Sequence, residues 1–297
     1  MGSKQKCAFV GLGTMGYPMA GHLAKEEYPV TVYNRTAARA RNWVDASSAS
    51  WAPVAAAATP AEAAEKAEIV FVCVGNDDDV RSVVYGDTGV LAGLAEGGVL
   101  VDHTTASAEL ARELEAACEK KGVGFLDAPV SGGQNGAENG QLTVMVGGRQ
   151  EIFEGIAPVL ECYAKSVRLM GDAGAGQLTK MVNQICIAGV LQGLSEGLHF
   201  AEQAGLDLEA VVDVISKGAA QSWQMDNRSG TMASQEFDFG FAVDWMRKDL
   251  AIALGAARGL GARLPLTALV DQFYADVQSY GGGRWDTSSL IQRLRRS

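Results

Sequence analysis

Short apolar runs alternate with Ala-rich amphipathic stretches from Lys6 to Met170. This alternation is typical of strands joined by crossover helices, and it predicts an α/β fold with a doubly wound parallel sheet. One run, Ile69–Val74, is apolar at every position, as expected of a central strand covered on both faces. The predicted strands are Cys7–Val10, Val30–Tyr33, Ile69–Val74, Val99–Asp102, Gly124–Leu126, Thr143–Val146 and Val167–Leu169.

The alternation stops after Met170, and helical periodicity replaces it. A Gly-rich turn leads into a long pattern from Gln177 to about Ala204. Its stretch ICIAGVLQGL is apolar nearly all round, which predicts a helix that runs through a core. We therefore predict two domains, a sheet-containing domain over residues 1–170 and an all-α domain over residues 171–297.

The formal net charge of −10 argues against non-specific nucleic-acid binding, because such proteins need clustered Lys and Arg to neutralise phosphates. No apolar run reaches the length of a membrane span, and Met1–Lys6 lacks the apolar core of a signal peptide. The five cysteines stand far apart without metal-ligand spacing, which indicates reduced thiols and a cytoplasmic protein. The expected partner is a small molecule, and local positive groups must bind it if it is anionic.

Three glycines in GxGxxG spacing follow the first predicted strand and precede a helical pattern. The glycines permit a tight turn and a close backbone approach, and the helix N-terminus presents free amides to a pyrophosphate. A Gly-rich turn without a ligand is the alternative, but the strand before the motif and the helix after it favour a dinucleotide. The predicted contacts are Gly11, Leu12, Gly13, Thr14, Met15 and Gly16.

The end of the second predicted strand carries Asn34, Arg35 and Thr36. NAD-selective domains place a carboxylate here, which accepts hydrogen bonds from the ribose hydroxyls and repels a 2′-phosphate. A neutral Asn34 followed by the planar fork of Arg35 suits the phosphate instead. The segment therefore favours NADP(H), with NAD(H) also possible. A solvent-facing Arg35 would leave the selectivity undetermined.

Two later segments carry polar residues suited to chemistry. In DAPVSGG, Ser131 precedes Gly132 and Gly133, whose backbone amides can converge on a carboxylate. A flexible turn is the alternative. In GQLTKMVNQ, Lys180 and Asn183 share one helix face within an apolar region, where an unpaired ammonium is costly to bury. A lysine on a solvated face is the alternative there.

The three histidines are scattered, so neither a histidine-based mechanism nor a metal site has a constellation of residues to support it. His103 alone stands at a predicted strand end. A second lysine, Lys248, lies in a segment with the aromatic neighbours Phe239, Phe241 and Trp245.

These segments together resemble the β-hydroxyacid dehydrogenase family over essentially the whole chain. The resemblance rests on FVGLGTMGYPMAGHL, VYNRT, VDHTTAS, DAPVSGG, GQLTKMVNQ and the Lys248-Asp249-Leu250 segment. Within the family, VYNRT and VDHTTAS are most similar to the glyoxylate/succinic semialdehyde reductase branch, which uses NADPH. The resemblance implies a Rossmann domain followed by an all-α domain built on one long helix, and homodimers or homotetramers.

The resemblance also implies roles for particular residues. It implies that Lys180 is the catalytic acid and base, and that Asn183 orients the reacting oxygen of the substrate. Gln184 stands where some members carry a second asparagine, which puts only the substrate preference in doubt. The implied substrate-carboxylate contacts are Ser131, Gly132 and Gly133, and the implied further cofactor contacts are Val74, Gly75, Thr105 and Lys248.

The expected reaction interconverts a small carboxylate-bearing aldehyde and its hydroxyacid, the aldehyde being glyoxylate or succinic, tartronate or methylmalonate semialdehyde. An imine reductase on the same architecture is one alternative, although those enzymes usually place Asp or Tyr where Lys180 stands. A catalytically silent NADP-binding scaffold is another, and loss of the proton donor would be expected in such a protein.

Overall fold

The computed structural model of the chain describes residues 4–48 and 52–296. Residues 1–3, part of the segment considered for a signal peptide, therefore lie outside the described residues. The chain divides into two compact units, Met1–Lys180 and Met181–Ser297. No helix among the described residues has both the length and the apolar character needed to cross a lipid bilayer.

The first unit is built on one sheet, in which the described residues form nine strands. The strand order is β3-β2-β1-β4-β5-β6-β8-β7, and β9 pairs with β8. The six strands from β3 to β6 in this order are mutually parallel, whereas β8 runs antiparallel to β6 and β7. The strands are β1 (Cys7–Val10), β2 (Val30–Tyr33), β3 (Val54–Ala56), β4 (Ile69–Val72), β5 (Val99–Asp102), β6 (Gly124–Asp127), β7 (Val130–Ser131), β8 (Leu142–Gly148) and β9 (Ala164–Gly171).

The predicted strands are all present, and three of them, β1, β2 and β5, have the predicted ends. The strand predicted over Ile69–Val74 ends at Val72. Two residues later, the backbone N–H of Val74 donates to the side chain of Thr104, which follows β5. The sequence analysis missed β3 and β7. These strands have three and two residues, too few to show the period of two on which strand prediction depends.

Helices cover both faces of this sheet, because successive residues of a strand point to opposite sides. Cys7 and Phe9 of β1 pack in one apolar cluster, whereas Ala8 and Val10 pack in another on the opposite face. The helices of the unit are α1 (Gly16–Lys25), α2 (Ala37–Ser47), α3 (Pro60–Ala64), α4 (Asp77–Val84), α5 (Val90–Gly93), α6 (Ala108–Glu119), α7 (Gly133–Glu138) and α8 (Gln150–Leu160).

The second unit is helical in its described residues, as the periodicity predicts. Its first helix, α9 (Ala175–Gln203), begins within the first unit and is 29 residues long. Within the stretch ICIAGVLQGL, Ala188 and Leu191 are fully buried whereas Val190 is 38% exposed, so this part of α9 packs in a core on one side and is exposed on another. The other helices are α10 (Leu208–Ile215), α11 (Trp223–Ser234), α12 (Val243–Leu260), α13 (Pro265–Ser279) and α14 (Leu290–Arg295).

Candidate active site

The carboxyl ends of the parallel strands meet at one edge of the sheet. The strand order reverses between β1 and β4, since β2 and β3 lie beyond β1 on one side and β5 and β6 beyond β4 on the other. In open α/β sheets this reversal leaves a crevice in which nucleotides bind. Gly11 follows β1, Val74 and Gly75 follow β4, and Thr105 follows β5, so these predicted cofactor residues all lie at this edge.

The Gly-rich loop between β1 and α1 has the shape that a pyrophosphate requires. Gly11 has φ +98°, and a Cβ at this position would overlap the carbonyl oxygen of Cys73. A Cβ at Gly16 would overlap the carbonyl oxygen of Gly11, whereas Gly13 faces open space. The outer two glycines therefore allow the close packing of the loop, and the middle one leaves room for a ligand. Residues 11–16 fit a dinucleotide by this test.

The end of β2 combines one held side chain with one exposed side chain. Asn34 Oδ1 accepts a hydrogen bond from the backbone N–H of Leu12 at 3.0 Å, and its Nδ2 donates to the Thr36 carbonyl oxygen at 3.2 Å. Asn34 thus ties the end of β2 to the Gly-rich loop, a role that the sequence did not indicate. The Arg35 side chain is 90% exposed, with Nη1 3.7 Å from Asp79 Oδ1.

Thr104 is the centre of a buried group of hydrogen bonds between strand ends. Its Oγ1 accepts from the backbone N–H of Val74 at 3.1 Å, and its own N–H donates to Asp102 Oδ1 at 2.9 Å. Burial raises the pKa of Asp102 to about 7; the charges of Asp127 and Asp77 add to the rise, and the bonds from Thr104 oppose it. The sequence analysis assigned no role to Thr104 or Asp102 in this network.

The first turns of α9 carry the predicted acid/base and lie against the same strand ends. Asp127, fully buried at the end of β6, accepts from the backbone N–H groups of Gly174 at 2.7 Å and Gln177 at 2.8 Å. Lys180 follows one turn later and is 7% exposed. The Lys180 side chain is therefore buried, and the alternative of a lysine on a solvated face is wrong.

The DAPVSGG segment leaves β6 and forms a turn at its two glycines. Gly132 has φ +133° and Gly133 has φ +62°, conformations that favour glycine, and α7 begins at Gly133. Ser131 ends β7 directly before this turn. The segment is therefore a defined strand, turn and helix, and the serine and both glycines share one short stretch of backbone.

His103 supports the beginning of this segment and has no free ring nitrogen. Its Nδ1 lies 2.6 Å from the Ala128 carbonyl oxygen, and its Nε2 lies 2.9 Å from the Tyr163 hydroxyl. Burial lowers the pKa of His103 to about 4, so the ring is neutral. Because a carbonyl only accepts, Nδ1 carries the proton and Nε2 accepts from Tyr163. His103 therefore stabilises the fold at this point and is not an acid or base.

In the second unit, the predicted residues Asn183 and Lys248 are joined through two others. Asn183 Nδ2 donates to Gln184 Oε1 at 2.8 Å, and Gln184 Nε2 donates to Asp249 Oδ2 at 2.6 Å. Lys248 Nζ lies 3.2 Å from Asp249 Oδ1. Asp249 is 1% exposed, and the sequence analysis gave it no role. Its position next to Lys248 on an otherwise apolar helix face was the available signal.

Comparison with known proteins agrees with this architecture. The family of the NAD binding domain of 6-phosphogluconate dehydrogenase matches residues 6–171, and that of the NAD-binding domain of NADP-dependent 3-hydroxyisobutyrate dehydrogenase matches residues 174–294. An uncharacterized oxidoreductase of Shewanella frigidimarina is 61% identical over 98% of this chain and 99% of its own length.

Two characterised proteins match over nearly the full length. The 2-(hydroxymethyl)glutarate dehydrogenase of Eubacterium barkeri is 36% identical over 97% of this chain and 94% of its own. The solved structure of Mycobacterium tuberculosis 3-hydroxyisobutyrate dehydrogenase with L-serine is 31% identical, with a TM-score of 0.87, over 98% of this chain and 99% of that one.

The chain therefore belongs to the β-hydroxyacid dehydrogenase family, as the sequence motifs indicate. It is an NAD(P)-dependent hydroxyacid dehydrogenase of the 3-hydroxyisobutyrate dehydrogenase type, an oxidoreductase that acts on CH–OH groups.

Proposed function

We propose that the protein uses NADP(H) to interconvert a small carboxylate-bearing aldehyde and its hydroxyacid, with Lys180 as the proton donor and acceptor. The proposed aldehydes are glyoxylate and succinic, tartronate and methylmalonate semialdehyde. The observation that carries the proposal is the burial of Lys180 to 7% exposure, in the same unit as the Gly-rich dinucleotide loop. Lysines are rarely this buried, because burying an ammonium is costly unless other groups stabilise it, and a hydroxyacid dehydrogenase needs one acid/base.

When bound, the nicotinamide ring supplies the hydride for reduction and takes it back in oxidation. In reduction, the Lys180 ammonium gives a proton to the carbonyl oxygen as negative charge develops there. In oxidation, the neutral amine takes the proton from the substrate hydroxyl. Asn183 orients that oxygen, and the backbone amides of Gly132 and Gly133 hold the carboxylate together with Ser131.

The preference for NADP(H) rests on Arg35. Its side chain is 90% exposed, as in the alternative of a solvent-facing arginine, so the proposed preference depends on residue type: a guanidinium suits a 2′-phosphate, and no carboxylate stands at position 34 to repel that phosphate. Thr36 adjoins it at the start of α2. The matching family of NADP-dependent 3-hydroxyisobutyrate dehydrogenase supports the same choice. Val74, Gly75, Thr105 and Lys248 are the proposed further cofactor contacts.

We also propose that the chain works as a homo-oligomer. Three large apolar side chains of α9 are exposed: Val182 and Phe200 lie five turns apart on one side of the helix, and Val190 lies about 80° around the axis from both. Exposed large apolar side chains along one helix, together with the oligomers that the family resemblance implies, support an interface on α9. Sedimentation equilibrium of the purified protein checks this, and a monomer at every concentration would contradict it.

The enzymatic proposal is tested by following the near-ultraviolet absorbance of NADPH with each of the four aldehydes. Lys180→Met and Lys180→Arg are compared with Lys165→Met, which removes an exposed lysine on β9. Both Lys180 variants should lose about 100-fold or more in kcat, because neither supplies a proton donor suited to neutral pH. Lys165→Met should keep the wild-type rate.

Cofactor binding, measured by NADPH fluorescence, should survive in all three variants, because the Gly-rich loop is unchanged. Near-normal turnover in Lys180→Met would end the proposal of Lys180 as acid/base. If the wild-type protein binds NADPH but oxidises it with none of the four aldehydes, the proposed substrate class is wrong.

A further inference from the structure

The start of α9 is held by a carboxylate from outside the helix. The first N–H groups of a helix have no partner within it, and the helix dipole favours negative charge at this end. The two carboxylate oxygens of Asp127 accept hydrogen bonds at this end. One accepts from the N–H of Gly174, directly before α9, and the other from the N–H of Gln177 in its first turn. A Cβ at Gly176 would lie 2.8 Å from Asp127 Oδ2, so this approach requires glycine there.

The Gln177 side chain fixes the rotation of the same turn. Its Oε1 accepts from the backbone N–H of Ala106 at 3.0 Å, and its Nε2 donates to the Thr104 carbonyl oxygen at 2.7 Å. The residue is 1% exposed, so water does not compete for these bonds. Thr104 in turn accepts from the N–H of Val74. Gln177 therefore links α9 to the strand ends at which the nicotinamide is proposed to bind.

Lys180 lies three residues after Gln177 on the same helix face, about 4.5 Å farther along the axis. Because a helix is stiff over one turn, the bonds that hold Gln177 also set the position of the Lys180 backbone. We propose that Gln177 is a positioning residue, which together with Asp127 holds Lys180 in register with the segment from Val74 to Thr105. This inference rests on the proposed function of Lys180.

The test compares two buried glutamines of α9. Gln177→Met keeps the length of the side chain but removes both hydrogen bonds. Gln192→Met is the matched control, because Gln192 is 5% exposed and its Nε2 donates to Glu196 Oε1 at 2.6 Å, one turn away on α9 itself. Melting temperatures establish that both variants fold, and NADPH fluorescence measures whether both still bind the cofactor.

We expect kcat to fall about tenfold to a hundredfold in Gln177→Met, since small displacements of a reacting group have effects of this size. The dissociation constant of NADPH should stay at the wild-type value, and Gln192→Met should keep its kcat. Hydrogen exchange in the cofactor-free protein gives a second readout. The amides of Ala106 and of residues 174–180 should exchange faster in Gln177→Met than in the wild type or in the control.

Gln177→Glu separates a positioning role from a loss of packing. A carboxylate still accepts from Ala106, but only the protonated carboxyl group can donate to the Thr104 oxygen. The kcat of Gln177→Glu should therefore exceed that of Gln177→Met where the carboxyl group is protonated, and the ratio of the two should grow as the pH falls. A kcat no higher than that of Gln177→Met at every pH would contradict the proposed bond to Thr104.

The two proposals fail in different ways. If Gln177→Met has the wild-type kcat and exchange rates while Lys180→Met is inactive, the positioning role is overturned and the proposed function stands. If Lys180→Met turns over normally, the proposed function fails, whatever the Gln177 variants do.

Discussion

At the ends of β4 and β5, Thr104 is buried, and its hydrogen bonds with Val74 and Gln177 join distant chain segments. At the end of β2, in contrast, Arg35 is 90% exposed and pairs with Asp79 at 3.7 Å. A broken buried bond leaves an unsatisfied polar group and costs about 1–3 kcal/mol, whereas an exposed ion pair contributes about 0–1 kcal/mol. Substitutions are therefore expected to cost more stability at the proposed nicotinamide end of the cofactor site than at the proposed phosphate end.

This difference separates two properties of the enzyme. Residues that determine the geometry of the reaction are linked to one another, so a change in one disturbs its partners. Arg35, the residue proposed to select NADP over NAD, is exposed and makes one surface ion pair, so a substitution there should leave the fold and the position of Lys180 unchanged. We therefore expect cofactor preference to be altered far more readily than the reaction itself.

The largest effect at the phosphate end is expected from Arg35→Asp. The change removes a charge-assisted hydrogen bond and adds a charge that repels a 2′-phosphate, so NADPH should bind about tenfold to a hundredfold more weakly. NADH lacks this phosphate and should bind as in the wild type. Fluorescence titration with both cofactors checks the prediction. An unchanged ratio of the two dissociation constants would mean that Arg35 does not contact the phosphate.

At the proposed nicotinamide end of the site, Asp102→Asn should change the pH dependence of stability. The folded-state pKa of Asp102, about 7, lies above its ordinary value of 3.8, so folding favours the protonated form. The stability that this proton confers is fully present below about pH 4 and is lost as the pH rises to about 7. The loss is about 4 kcal/mol at most. The asparagine side chain of the variant stays neutral at every pH, so the variant should escape this loss.

Melting temperatures across this pH range provide the measurement. The difference between Asp102→Asn and the wild type should grow in favour of the variant as the pH rises, and level off above about pH 7. Asp87→Asn removes an exposed carboxylate and is the control. Parallel curves for the wild type and Asp102→Asn would show that Asp102 is ionised throughout, and that the strand ends tolerate its charge.

The smallest effect is expected from Asp79→Asn. Its carboxylate partly neutralises Arg35, so removing the charge should strengthen NADPH binding by a few fold, in keeping with about 0.2–1 kcal/mol for an exposed pair. Asp78→Asn is the matched control, since Asp78 lies on the same helix turn but pairs with Arg81 at 3.6 Å. Equal effects of the two substitutions would indicate a general change in charge and no specific role for Asp79.

Part of the site was accessible to prediction because its signals are local. Glycine spacing after a strand located the dinucleotide loop, and the bulk and charge of Arg35 were visible without a fold. The buried hydrogen-bond partners could not be predicted in this way. Gln177 and Thr104 are separated by 73 positions. The acceptor is a backbone oxygen, which every residue carries, so residue type does not identify it.

The sequence by itself determined the α/β order of the first unit, the helical second unit and the presence of the chemical groups that we propose for the activity. Those properties follow from local periodicity and from residue type. Only the tertiary structure decided that Lys180 is buried, that Asp127 and Gln177 hold its helix, and that several large apolar side chains of α9 are exposed. Burial and hydrogen-bond partners depend on which distant segments meet, and no local pattern contains that information.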